Sequence, residues 1–357
     1  MINLSALKHH SLFMSSLFIN RLLKKHVPLI VSITTTNRCN LKCIYCYGQY
    51  YDRDTKDFSK EELLKLIMDL KKMGTRLIHL EGGEPLIRED IGELIHFIKK
   101  QNMICRMNSN GLLLPKKVKE LKEIDSLCIS LDGEEFSNDK NRGPGTYKKI
   151  IHAIEVAKAN GIPIATSSVL TGHNIDNGAI EHIASLAKKY QYGAQFNFLY
   201  EKSATTDRND AALKVQEEKI RNAVKKLMEM KSNGYPIFYS FNSYQKILDW
   251  PFSFDVKKIL SDHAPLAAND MAIQNPCYMG KYMCFIDGDG LVYPCGEHIG
   301  QFEALDFRKH GIKKAWEHIE QNKKCMTCYN TCFSEYNLLF DLNASVIWNN
   351  AKNFFRH

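Results

Sequence analysis

The sequence predicts an α/β fold: a parallel sheet curled into a partial (β/α)6 barrel, followed by a small cysteine-rich α+β region. Three observations predict it. Apolar runs of strand length alternate with helix-period segments six times between residues 29 and 199, the pattern of repeated βα units around a parallel sheet. No Gly-x-Gly-x-x-Gly turn occurs in the series, which argues against a dinucleotide-binding sheet. Finally, the residues with chemical promise, in segments 39–46 and 82–85 and at Ser109, Ser130 and Glu201, fall where strands end. That is the edge at which α/β folds assemble their sites.

The run Leu29-Ile30-Val31-Ser32-Ile33 forms the first strand and leads into a cysteine-bearing loop. Ser59 with Glu61 and Glu62 marks a helix start, and Leu63, Leu64, Ile67, Met68 and Leu70 form its apolar face up to Gly74. Strands follow at 76–80, 104–108, 127–131, 163–170 and 194–199, with helices at 91–100, 118–124, 147–159 and 180–190. Cys105 and Cys128 fall inside strands and are expected to be buried core thiols.

Residues 1–28 read as an amphipathic helix that caps the barrel. Its apolar stretch 12–19, flanked by Lys8, Arg21, Lys24 and Lys25, lacks a signal-peptide cleavage site and is shorter than the ~20 residues of a membrane span. A foot at a membrane surface is the alternative. The barrel is assigned to 29–205. Residues 206–275 comprise a linker helix at 215–230, bridging away from the barrel, and an aromatic stretch with Tyr239, Phe241, Tyr244 and Trp250 that is core or lines a substrate cavity. The cysteine-rich region is 276–357.

A chain of 357 residues with 44% hydrophobic content can bury a sizeable core. Eleven cysteines without a secretory signal point to a reducing cytoplasm in which thiols serve as metal ligands. The net charge of +8 is spread over lysine-rich helices at 59–72 and 215–231, so it argues against nucleic acid as a partner. It suits an acidic electron donor such as a flavodoxin or ferredoxin.

Cys39, Cys43 and Cys46 stand at C-x-x-x-C-x-x-C spacing. Three thiols are one short of the four that cap an iron–sulfur cube, which leaves one iron open. Zinc would need a fourth close ligand, and the nearest candidate, His26, is not at finger-like spacing. The segment resembles the radical S-adenosylmethionine (SAM) enzymes, whose C-x-x-x-C-x-aromatic-C motif is matched at all three cysteines and at Tyr45. Leu80-Glu81-Gly82-Gly83-Glu84-Pro85, Ser130-Leu131-Asp132-Gly133 and Arg142-Gly143 extend the match over about residues 29 to 200. The resemblance implies a [4Fe–4S] cluster on the three cysteines and SAM chelated to its fourth iron. Reductive cleavage of SAM would give a 5′-deoxyadenosyl radical that removes hydrogen from an unactivated C–H bond. It further implies that Gly82, Gly83, Glu84 and Pro85 receive the SAM amino group, that Tyr45 lies near adenine, and that Ser130 and Arg142 hold the carboxylate. Ser109, with Asn108 and Asn110, is assigned to ribose or methionine.

Cys277, Cys284, Cys295, Cys325, Cys328 and Cys332 are six of the eleven cysteines. Residues 285–293 read as a β-hairpin turning at Asp-Gly, which would set Cys284 and Cys295 on one side. This region resembles the twitch or SPASM extension of radical SAM enzymes. That implies an auxiliary [4Fe–4S] cluster on Cys277, Cys295, Cys325 and Cys328, with Cys332 and Cys284 as contenders for one place. The rival is a zinc knuckle, for which Cys277 and Cys295 are too far apart to form a close pair. No cysteine follows Cys332, so the resemblance implies at least one auxiliary cluster and leaves a second fully thiolate-bound one open. Asp287, Glu297, His298 and Glu335 lie nearby, each as readily solvated as catalytic, and no general base is assigned.

The expectation is a cytoplasmic enzyme, peripheral at a membrane if the first helix is a foot. It would oxidise or cross-link a substrate at an unactivated carbon, the auxiliary cluster assisting oxidation or anchoring substrate. The ~30 residues before the first strand are too few for a leader-recognition domain, which favours a small or lipid-linked metabolite over a peptide. The rival readings are a peptide-modifying maturase and a non-catalytic iron–sulfur redox sensor.

Overall fold

The computed structural model describes residues 4–199, 213–261 and 276–355; Glu201 lies outside them. Helix α1 (Leu4–Leu22) precedes six strands: β1 (Ile30–Thr36), β2 (Leu77–Gly82), β3 (Ile104–Ser109), β4 (Ser126–Ser130), β5 (Ile164–Leu170) and β6 (Gly193–Phe198). Each pairs in parallel with the next. Between them run α2 (Lys60–Lys72), α3 (Ile91–Lys100), α4 (Leu114–Lys117), α5 (Glu135–Arg142), α6 (Thr146–Ala159) and α7 (Ala179–Tyr190). The start of α2 follows its sequence signal. Ser59 Oγ accepts the Glu62 N–H at 3.1 Å, and the Glu62 carboxylate accepts the Ser59 N–H at 2.8 Å.

The third helix departs from expectation. It is a single turn at Leu114–Lys117, and 118–123 are turns, because Pro115 fits the first turn of a helix and starts it early. Helix α5 was not anticipated. Its sequence has no apolar stripe, and the residues it buries are polar: Ser137, Asn138, Asn141 and Arg142.

After β6 come α8 (Glu217–Ser232), α9 (Phe241–Leu248) and β7 (Lys258–Leu260). Helix α8 does not bridge away from the barrel. Ile220, Ala223, Val224 and Leu227, at i, i+3, i+4 and i+7, join the main core. The chain then returns to the β6 edge, where the Phe238 N–H meets the Ala194 carbonyl at 2.8 Å.

The C-terminal region comprises β8 (Met283–Ile286), β9 (Leu291–Tyr293), β10 (Leu305–Asp306), α10 (Phe307–His310), α11 (Ile312–Asn322), β11 (Cys325–Cys328), α12 (Thr331–Phe340) and α13 (Ala344–Phe355). The expected hairpin is present, turning over Asp287 and Gly290. It does more than was foreseen: β8 lies parallel to β1, so the hairpin and β10 extend the barrel sheet to nine strands in the order β10-β9-β8-β1-β2-β3-β4-β5-β6. A second sheet pairs β7 with β11. Phe285 pairs with Tyr293, so Cys295, two residues on, shares the face of Phe285. Cys284 takes the opposite face, contrary to the expectation that the two would share one side.

Along the barrel strands, Val31, Ile33, Ile78, Leu80, Cys105, Met107, Leu127 and Ile129 face the helices and are buried. The alternate positions face inward. At the bottom these are apolar, and Ile30, Leu77 and Ile104 pack with Phe13 and Leu17 of α1. The first helix therefore caps the barrel, while Phe18, Ile19, Leu22 and Leu23 stay exposed. Among the described residues no helix is long and apolar enough to cross a membrane. Above that floor the inward positions turn polar and are only half-buried: His79, Glu81, Arg106, Asn108, Ser130, Ser167, Gln195 and Asn197.

Candidate functional site

The cysteine loop leaves β1 in irregular backbone and rests on the segment after β2. The Gly83 N–H donates to the Thr36 carbonyl at 3.0 Å and the Glu84 N–H to the Arg38 carbonyl at 2.9 Å. A Cβ would stand 2.2 Å from the Arg38 oxygen at Gly83, and 2.4 Å from the Thr36 oxygen at Gly82, whose φ is +145°. The close approach that these glycines permit is thus to the cysteine loop itself. Glu84 is buried. Its carboxylate accepts the Ser109 hydroxyl at 2.8 Å and the N–H groups of Asn110 and Leu86 at 2.7 and 3.0 Å. Burial raises its pKa to about 7 against those bonds. Asn110 donates in turn to Asn40 of the cysteine loop at 2.7 Å, and Pro85 starts a buried turn, Pro85–Ile87. The side chains of Glu84 and Ser109 are therefore engaged with each other, supporting the loop from below.

A second lock acts from the side. The Asp132 carboxylate accepts the Tyr45 hydroxyl at 2.5 Å, Arg142 Nε at 2.8 Å and the Val169 N–H at 2.9 Å. Arg142 lies 5.5 Å from the Tyr45 ring centroid, and its Nη1 stands 4.0 Å from Cys43 Sγ. The Ile44 N–H is tied to the Asn141 carbonyl of α5 at 3.0 Å. Burial lifts the Cys39 thiol to about 12 and also raises Cys43, which Arg142 opposes. Desolvated thiols with a single nearby guanidinium gain most from a cationic core that takes their protons, so these three residues fit an iron–sulfur cluster. Ser130 supports that fit: its hydroxyl, on the inner face of β4, has no hydrogen-bond partner among the described residues. Asp132 was quoted in the sequence motif without a role, although an acid at a strand end with an arginine ten residues on was the available signal.

In the lumen stand His79, Arg106, Gln195, Asn197 and Tyr336, to which sequence reasoning gave no role. His79 lies between Asn108 (Nε2 to Oδ1, 3.0 Å) and Glu81 (Nδ1 to Oε1, 3.3 Å), and burial lowers its pKa. The Tyr239 hydroxyl reaches Gln195 at 3.2 Å and Asn197 at 3.1 Å. The guanidinium of Arg106 interacts with the Tyr336 hydroxyl, and among the described residues no carboxylate pairs with it. Strand alternation carried the signal: His79 and Glu81, then Arg106 and Asn108, sit at every second position of otherwise apolar strands.

The C-terminal cysteines divide. Cys277 accepts a hydrogen bond from the Cys325 thiol, which lowers Cys277 to about 5 and raises Cys325. Cys295 and Cys328 act electrostatically on the same group. These four act on one another. The two contenders do not join them. Cys284 is buried in the main core beside β1. Cys332 faces the lumen, bonded to Tyr239 and near Cys128, and burial raises it to about 12. Cys128 is buried as expected, but on the inner wall. Among the described residues no three His, Cys, Asp or Glu side chains crowd around one point as a single ion needs; the cysteines of a cube bind separate irons. The buried ammonium of Lys246 has no hydrogen-bond partner among the described residues, and Cys277, Cys325 and Cys328 act on it electrostatically, which fits an anionic tetrathiolate cluster.

The nearby acids and histidine are engaged within the fold. Both Asp287 oxygens accept Arg53 Nη1 at 2.9 and 2.8 Å, which ties the hairpin turn to the loop behind Cys46. Glu335 accepts the Ser240 and Ser243 hydroxyls, each at 2.6 Å. Burial raises Glu297 to about 8 and lowers His298 to about 3. A cavity of about 240 Å³, lined by Phe198, Ile220, Phe254, Lys257 and Tyr329 among others, opens between the end of β6 and the residue after Cys328.

Comparison with known proteins places this geometry. The description "Radical SAM superfamily" matches residues 33–187. The Fe-coproporphyrin III synthase of Methanosarcina barkeri is 33% identical over 157 residues, 43% of this chain and 39% of its own length. The mycofactocin maturase MftC of Mycobacterium ulcerans is 27% identical over 278 residues, 75% of this chain and 68% of its own. Among solved structures, Streptococcus suis SuiB bound to precursor peptide SuiA covers 85% of this chain and 67% of its own, with a TM-score of 0.65 at 14% identity, a likeness of fold. The chain thus spans well under half the length of the first relative and about two thirds of the other two. The family match falls on the strands that carry the cysteine loop and the Asp132–Arg142 lock, and residues 33–187 form a radical SAM domain, of a superfamily that uses a [4Fe–4S] cluster and S-adenosylmethionine.

Proposed function

We propose that the protein is a radical SAM enzyme whose substrate carries a carboxylate and sits in the barrel lumen, between the cysteine loop and the Cys277 set. The observation that carries this reading is Arg106: a half-buried guanidinium inside the barrel, without a carboxylate partner among the described residues. A charge in such a place is retained when a ligand completes its bonds, and a guanidinium fits a carboxylate with two parallel N–H donors.

When bound, the cluster and SAM supply a radical that removes one hydrogen atom from an unactivated C–H bond. Cys39, Cys43 and Cys46 would hold the cluster, and the hydroxyl of Ser130 with the Nη1 edge of Arg142 would face the SAM carboxylate. Arg106 and Tyr336 orient the substrate. His79 and Glu81 are the lumen pair able to take a proton from it. Phe13 and Leu17 close the floor and keep bulk water out. Electrons would come from an acidic carrier of the flavodoxin or ferredoxin class, drawn to a chain of net charge +8. The low-redox chemistry suits the cytoplasm.

A small metabolite fits a lumen closed at one end. A peptide is the second reading, favoured by the side cavity that leads from the end of β6 towards Tyr329 and by the names of the mycofactocin maturase and of SuiB with its precursor peptide. The test uses anaerobically reconstituted protein with dithionite and SAM, offered deuterated small carboxylic acids or deuterated peptides. Deuterium in 5′-deoxyadenosine identifies the substrate class. Arg106→Gln should lose that transfer at least tenfold while still releasing unlabelled 5′-deoxyadenosine. Equal transfer by the variant would refute the lumen site, and absence of 5′-deoxyadenosine from the wild type would favour a redox sensor.

A further inference from the structure

Lys246 lies on the inward side of α9 with Ser243, Tyr244 and Ile247, only 6% exposed. Its Nζ has no hydrogen-bond partner among the described residues. The acidic groups acting on it are all thiols: Cys328, Cys277 and Cys325. The other nearby ammonium, Lys323, is engaged differently, donating to the Cys277 carbonyl at 2.5 Å and the Met279 carbonyl at 2.6 Å. Lys323 therefore pins the backbone of the site, and Lys246 is left as a free positive charge within it.

A buried ammonium without an acceptor is costly and persists where an opposite charge offsets it. A cube held by four thiolates provides one, because it carries net negative charge that grows by one on reduction. We propose that Lys246 is the counter-ion of the cluster held by Cys277, Cys295, Cys325 and Cys328, and that it raises that cluster's reduction potential. This rests on the reading of those four cysteines as cluster ligands.

The consequence for the reaction is a direction of electron flow. With both clusters and SAM bound, the substrate would lose a hydrogen atom to the deoxyadenosyl radical, and its radical would give up one electron towards the Cys277 set and one proton to the lumen, a two-electron oxidation that leaves a new double bond or cross-link. The electron would depart to a one-electron carrier of the flavodoxin or ferredoxin class. In a low-dielectric interior a fixed positive charge stabilises the reduced state more than the oxidised one, so Lys246 favours the arrival of that electron.

The test isolates the second site in the full chain by replacing Cys39, Cys43 and Cys46 with alanine, followed by anaerobic reconstitution and an EPR-monitored redox titration. The triple variant should bind about four irons. In that background Lys246→Met should make reduction at least tenfold less favourable, a shift of 59 mV or more to negative potential for a one-electron couple, and Lys246→Arg should retain most of the wild-type value. Loss of iron in Lys246→Met but not in Lys246→Arg would also support the counter-ion. An unchanged potential in Lys246→Met overturns the proposal alone. A triple variant that binds no iron overturns the ligand assignment, and the counter-ion with it.

Discussion

Arg142 and Asp132 form a buried ion pair, Nε to Oδ2 at 2.8 Å, at the side of the cysteine loop. The same carboxylate takes the Tyr45 hydroxyl and the Val169 N–H. One acid thus fixes the cysteine loop, α5 and β5 relative to each other, and holds the guanidinium that faces Cys43.

Removing that acid should therefore do more than remove one contact. Asp132→Asn leaves a buried guanidinium unpaired and should cost about 3–5 kcal/mol of stability. Denaturant titration of the variant, compared with Arg142→Met and the double variant, checks this. The double variant should lose clearly less than the sum of the singles.

Glu84 predicts a pH dependence with a definite sign. Its folded pKa of about 7 lies above the ordinary 4.5, so between those values the folded chain keeps a proton that the unfolded chain has released. The stability contributed by this group should be greatest below pH 4.5 and fall as pH rises to 7, by about 3 kcal/mol in all. Glu84→Gln should lack that slope, and urea titrations of the two proteins from pH 4.5 to 8 compare them directly.

Gly83→Ala would place a methyl 2.2 Å from the Arg38 carbonyl oxygen. Overpacking of this kind typically costs 1–3 kcal/mol, and the cysteine loop must shift to relieve it. The expected result is a chain that still folds but retains at most half of the iron bound at the first site after reconstitution, measured in a background without Cys277.

The two groups of C-terminal cysteines should separate in an iron assay. Serine at Cys277, Cys295, Cys325 or Cys328 should lower bound iron from about eight to about four per chain, whereas serine at Cys284 or Cys332 should leave it near eight. Loss of iron on replacing Cys332 would contradict the lumen position of its thiol.

Much of this was legible in the sequence. The barrel units were, because strands buried under helices read as apolar runs and the helices carry clear stripes. Helix α5 was not, since polar bonds rather than an apolar face hold it. Cys332 looked like a ligand because only three residues separate it from Cys328, but α12 begins at Thr331 and turns the thiol towards Tyr239. The position of Cys284 depended on hairpin register, which length alone does not fix. Arg106 and Lys246 carried no local motif: what sets them apart is that no carboxylate among the described residues pairs with either, visible only once the chain has closed around them.

The central claim is an iron corner that the 39–46 loop leaves open for SAM. Its most direct test is 5′-deoxyadenosine release by the full chain, reconstituted anaerobically and reduced with dithionite in the presence of SAM. The account predicts release by the wild type and none after alanine replaces Cys39, Cys43 and Cys46, with iron at the Cys277 set retained. A wild-type chain that binds about eight irons yet releases no 5′-deoxyadenosine would contradict it.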